Sequence, residues 1–94
     1  MGEFSLSISG ACDISTIVER KSMISAPLER AESILIDCGE IDRVDITFIQ
    51  LIAAAQKVFD DRGLGFRLAN ASETLRTAID RSGFHFSADA GRIS

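Results

Sequence analysis

Hydrophobic and polar positions alternate strictly at the start of the chain. Phe4, Leu6 and Ile8 are separated by Ser5, Ser7 and Ser9. A period of two predicts a half-buried strand over residues 4–9, broken by Gly10. From about residue 15 or 16 to residue 28 the period changes. Ile17, Ile24 and Leu28 lie seven and four apart, Val18 widens the stripe, and Glu19, Arg20 and Lys21 fall between them. This predicts a helix, with Pro27 distorting its last turn. The segment SILIDC, 33–38, contains the unbroken run Ile34, Leu35, Ile36. Such a run predicts a central strand covered on both faces, with Asp37 at its end and GEIDRV, 39–44, as a loop.

A second helix is the clearest element. Phe48, Leu51, Ile52, Ala55, Val58 and Phe59 keep the helical spacing i, i+3, i+4, i+7, i+10, i+11. Gly63 is placed to cap its C-terminus. Leu64, Phe66 and Leu68 then alternate as in a strand. NASETLRTAID opens a third helix, with Asn70 and Glu73 at capping-box spacing. Leu75, Ala78 and Ile79 form its buried stripe, and Gly83 ends it. The closing FHFSADAGRIS reads as a tail, with 85–94 its loosest part. The order β-α-β-α-β-α predicts an α/β fold: one small, mostly parallel or mixed sheet with helices packed on it.

Composition narrows the possibilities. Ninety-four residues make one domain, spanning 1–94. A net charge of −4 with no basic cluster argues against nucleic acid and anionic membranes as partners. The longest purely apolar run, 51–55, is far too short to span a bilayer. MGEFSLSISG lacks the basic-then-apolar pattern of a secretory signal, so a cytoplasmic location is expected. Cys12, Cys38 and one histidine supply too few ligands for zinc, and the cysteines are expected to be reduced, small hydrophobic side chains. No lysine, arginine or histidine is adjacent to either cysteine in sequence. DDRGLG lacks the pattern of a phosphate-binding loop, and no cofactor is expected.

The candidate chemistry lies in RVDITFIQLI, 43–52. Asp45 precedes the apolar periodicity and is a natural N-cap for the amides of Thr47 or Phe48. Thr47 then carries a hydroxyl near the surface, where a phosphate would meet free amides and the positive end of the helix dipole, with Asp45 opposing it. Ile46, Ile49 and Ala53 fall outside the buried stripe. They either pack beneath the other helices or, with Thr47 and the 38–45 loop, form an apolar patch for a partner. Ile46 and Ile49 are expected to be partly exposed. Glu40, Asp42 and Asp45 lack the register of a calcium loop and read as a solvated acidic stretch. His85, between Phe84 and Phe86, reads as a packing or surface residue. Nothing combines a nucleophile, a base and an oxyanion donor, so an enzyme is not expected.

The segment LIDCGEIDRVDITFIQLIAAAQKVFDDRGLGFRLANASETLRTAIDRSGF resembles the core of a STAS domain of the anti-sigma-factor-antagonist type. Asp37 matches that family's strand-end Asp. Asp45 matches the Asp of its Asp-Ser-Ser-Gly-Leu motif, and Thr47 aligns with the second Ser, the usual phosphoacceptor. ISGACDIST resembles the family's Gly-containing strand and turn, so the likeness runs from about Phe4 to Phe84. Two positions depart from the motif: Ile46 replaces the first Ser and Phe48 the Gly. FIQLIAAAQ is similar to the helix of short STAS proteins found with bacterial chemotaxis systems. The resemblance implies a non-enzymatic bacterial signalling module that docks a histidine kinase or an anti-sigma-type kinase. Its contact residues would be Asp42, Arg43, Asp45, Ile46, Thr47, Phe48, Ile49 and Gln50, with Thr47 as phosphoacceptor. The family also contains subunits of lipid-transport ABC complexes, which grip the ATPase.

Overall fold

In the computed structural model, which describes residues 2–83, three parallel strands lie in the order β1-β2-β3. They are β1 (Glu3–Cys12), β2 (Ser33–Val44) and β3 (Phe66–Ala69), and they alternate with α1 (Ile17–Glu29), α2 (Ile46–Asp61) and α3 (Glu73–Ser82). Two right-handed crossovers stepping the same way across a sheet leave both helices on one face. Burial agrees. Ile34, Ile36 and Cys38 of β2, Ile8 of β1, and Phe66 and Leu68 of β3 are buried beneath the helices. The alternate positions Ser5, Ser7, Asp37 and Arg67 are exposed, and Leu35 is half-buried. The expectation that β2 is covered on both faces is therefore corrected. The run Ile34-Leu35-Ile36 buries its two isoleucines and leaves Leu35 on the open side of a two-layer sandwich.

Two further expectations change. Gly10 does not end β1, and 39–44 is not a loop. Both segments continue as paired strand, with Gly10 opposite Ile41 and Cys12 opposite Val44, across register shifts between Ser7 and Ser9 and between Gly10 and Ala11. Gly10 takes φ +77°, a backbone state that L side chains avoid and that lets a strand bulge without stopping. The irregularity changes the strand parity, so Ile41 rather than residue 40 returns to the core. The consequence is positional: the extended ends of β1 and β2 carry the starts of α1 and α2 to one rim of the sheet.

The helix ends follow local rules. Gly63, at φ +71°, closes α2: its amide donates to Asp60 O (2.9 Å) and that of Leu64 to Phe59 O (2.8 Å). This is the paired Schellman pattern. Helix α1 ends the same way, with Ala31 at φ +54° and amides of Ala31 and Glu32 reaching Leu28 O and Pro27 O. The N-cap of α3 is Ser72, whose hydroxyl accepts from Leu75 N at 3.2 Å. Asn70, expected in that role, takes φ +54° instead. Along α1, Val18 leaves the expected stripe and is 79% exposed. On α2, Val58 is 40% exposed while Ile49 is buried, so the inward face is rotated from the one the spacing predicts. The tail, with His85, lies outside the described residues.

Candidate functional site

Asp45 stands where β2 hands over to α2. Its backbone is extended (φ −120°, ψ 180°), and its carboxylate serves as the N-cap. Oδ1 accepts from Thr47 N at 2.9 Å, from Phe48 N at 3.4 Å and from the Thr47 hydroxyl. Oδ2 accepts from Ile14 N at 3.0 Å, thirty-one residues away in the chain. Four donors thus favour the ionised form. The Thr47 hydroxyl is the largest influence holding the Asp45 carboxyl below its ordinary range. Partial burial opposes it, and the amides of Ile14, Phe48 and Thr47 reinforce it.

The Ile14 amide belongs to a turn built from polar side chains. Asp13 Oδ1 accepts from Ser15 N at 3.0 Å, and Thr16 Oγ1 accepts from Asp13 N at 3.1 Å. These bonds leave the Ile14 side chain projecting outward, 68% exposed. Behind the turn, Arg20 forks to Ser9 O and Ala11 O, both at 2.9 Å, holding the bulged end of β1. Arg20 also faces Cys12, a pairing invisible in sequence adjacency. Burial still wins, and the Cys12 thiol titrates above its ordinary value despite the guanidinium. The Cys38 thiol is pushed up to about 12, chiefly by burial. Both cysteines are free and buried.

The predicted site residues separate into two groups. Ile46, 52% exposed, and Gln50, Asp42 and Arg43 lie on the surface, while Asp45 and Thr47 are half-buried. Phe48 and Ile49 are each 1% exposed and support the turn from beneath. The expected exposure of Ile49 is thus corrected: it turns toward α3, where it meets the same groove as Ala78. The amides expected to receive a phosphate are also occupied, since those of Thr47 and Phe48 already bond to Asp45. Ile14 and Val18 were missed. Neither spacing nor composition marks them, because exposure depends on which faces of the 13–16 turn and of α1 the rest of the fold covers.

The result is one rim of a parallel sheet, at the strands' C-terminal ends, where Ile14, Val18 and Ile46 are the apolar side chains on display around a capped helix start. Such a rim is where open α/β folds present functional groups. Among the described residues no three His, Cys, Asp or Glu side chains converge as a metal site would require, and no helix is long and apolar enough to cross a membrane. A small α/β sandwich that displays apolar residues at this rim has the character of an interaction domain. The family model described as "Mlab, STAS domain" matches residues 2–86, and the chain belongs to the STAS domain family, whose members serve in protein interaction and regulation. A search of the curated proteins found no match.

Proposed function

We propose that this domain docks a signalling kinase, or that kinase's partner, through the rim formed by Asp45, Ile46, Thr47 and Gln50, with Asp42 and Arg43 at its border. Phe48 and Ile49 hold the docking turn in place from below. The observation that carries the reading is the exposure of Ile46 and of Ile14, both at the Asp45 cap, together with that of Val18 in the first turn of α1. In that order these three β-branched side chains are 52, 68 and 79% exposed, the first two at a rigid, multiply bonded cap. Exposed apolar side chains on an ordered support gain most from burial by a partner.

The same geometry supports Thr47 as the switch. A kinase would move the γ-phosphoryl group of ATP onto Thr47 Oγ1, and its own base would take the hydroxyl proton. The hydrogen bond that Thr47 donates to Asp45 would then become repulsion between two anions. That change acts on the cap and, through Oδ2, on the Ile14 turn as well. Pull-down against a kinase encoded beside this chain tests both parts. Ile46→Asp should abolish binding. Thr47→Glu should weaken it while Thr47→Ala retains it. Undiminished binding by Ile46→Asp would refute the surface, and equal binding by the two Thr47 variants would refute the switch.

A second reading has its own support: these apolar side chains are on display with the cap intact, as suits a permanent seat on the ATPase of a lipid-transport ABC complex. Co-purification with an ATPase and a permease in place of a kinase would select it.

A further inference from the structure

Strand β1 stands at one edge of the sheet, with β2 on one side of it and, among the described residues, no strand on the other. The Ser33 amide of β2 donates to Gly2 O at 3.2 Å. The N–H and C=O of one residue point to the same edge of a strand, and successive residues alternate. The even positions at the start of β1 therefore face β2, and Glu3, Ser5 and Ser7 turn their backbone groups to the free edge. Beyond Ser7 that edge is occupied, for Arg20 Nη2 donates to Ser9 O and Ala11 O, both at 2.9 Å. We propose that residues 3–7 are a dimerisation edge, on which β1 of a second copy of this chain pairs antiparallel about a two-fold axis through Ser5.

Three observations favour a second copy as the occupant. The first is the span. An identical strand uses the whole of the edge 3–7 only with Ser5 opposite Ser5 and Glu3 opposite the second copy's Ser7. Each such pair exchanges two bonds, so about six backbone hydrogen bonds form. The second is pattern. Phe4 and Leu6 are half-buried on the helix-covered face, packed against the core, and Ser5 and Ser7 are exposed on the other. A strand that fits here is apolar at alternate positions and small and uncharged between them, and β1 is itself such a strand. In the two-fold register Phe4 meets the second copy's Leu6 in the closer, non-hydrogen-bonded kind of pair. The third is charge. Sheet edges are usually guarded by lysine, proline or an inward-pointing charge, and residues 4–8 contain none of these. Glu3 is the charged residue of the span. Its carboxylate is bound by Arg67, and the register sets it against a serine rather than a second glutamate. The proposal is independent of the docking reading, since residues 3–7 take no part in that rim.

Sedimentation velocity on the full chain should show monomer converting to dimer as the concentration rises. A chain that stays monomeric up to millimolar concentration would overturn the proposal. Ser5→Pro removes a donor at the axis but no bond to β2, so circular dichroism should stay that of the parent. The dissociation constant should rise at least about tenfold, the scale of two lost hydrogen bonds. Should the proline unfold the domain, Ser5→Lys supplies the second measurement. It sets two like charges against each other at the axis and should weaken the dimer in the same way. A dimer that folded Ser5→Pro or Ser5→Lys leaves as tight as the parent's would overturn the edge. Ser5→Cys tests the register. Opposed residues of a hydrogen-bonded pair have Cα atoms about 5.5 Å apart, within reach of a disulfide. With oxidised glutathione as oxidant, Ser5→Cys should cross-link two copies much faster than Thr77→Cys, an exposed position on α3, while Cys12 and Cys38 stay buried. Equal rates for the two variants would overturn the two-fold pairing.

Discussion

Removing the Asp45 carboxylate should loosen two distant parts of the chain together. In Asp45→Ala the amides of Thr47 and Phe48 lose their cap, a change that typically costs about 1 kcal/mol. The tie from Ile14 N to Oδ2 is lost as well. It is solvent-exposed, so about 1 kcal/mol is the appropriate scale. The sum of about 2 kcal/mol corresponds to a fall in Tm of roughly 10 °C for a domain of this size. Asp45→Asn divides the effect. Its amide oxygen can still accept from Thr47 and Phe48, but its NH2 group cannot accept from Ile14 N, so about half the loss should remain. Urea denaturation followed by circular dichroism at neutral pH measures both variants. The folded-state carboxyl titrates below its ordinary value of 3.8. The stabilisation is therefore fully present above that value and is lost as the pH falls through the folded-state pKa. The gap between parent and Asp45→Ala should narrow in acid. Parent-like stability of Asp45→Ala at neutral pH would refute the reasoning. So would an Asn variant as unstable as the Ala variant, which would mean that the cap contributes nothing.

Three further outcomes follow from the packing. Ala31→Gly should stabilise the domain by about 0.5–1 kcal/mol in a urea melt, because Ala31 occupies the left-handed end of α1 at φ +54° and glycine relieves that strain. Arg20→Ala should cost about 2 kcal/mol, since a mostly buried guanidinium holds Ser9 O and Ala11 O. Both bonds leave one nitrogen, Nη2, so Arg20→Lys, whose ammonium carries three donors, should recover part of the loss. The Cys38 thiol, pushed up to about 12 by burial, keeps its proton in the folded state when the unfolded thiol, near 9, has lost it. Stability should therefore fall as pH rises above that lower value, by up to about 1.4 kcal/mol per pH unit from this group. Cys38→Val should flatten the fall in pH-dependent urea melts, and an unchanged slope would contradict it.

What the sequence alone determined is local in origin. The order of six elements, the Schellman glycine of α2, the capping role of Asp45 and the family resemblance all rest on residues within one or two turns of each other, where spacing and backbone preference act directly. Ile14, Val18 and Ile49 show where that ceases. Ile49 sits off the predicted stripe and is buried because α3 packs on that flank of α2. Ile14 and Val18 look like ordinary core residues and are exposed because no described element covers them, while the Ile14 backbone is tied to a carboxylate thirty-one positions away. The tertiary structure likewise decided that β1 runs through Gly10, that 39–44 is strand, and that, among the described residues, the helices cover one face of the sheet. A strand ends where its partner's hydrogen bonds end, and a side chain is buried only where another element covers it. Both conditions are set by segments far apart in the chain.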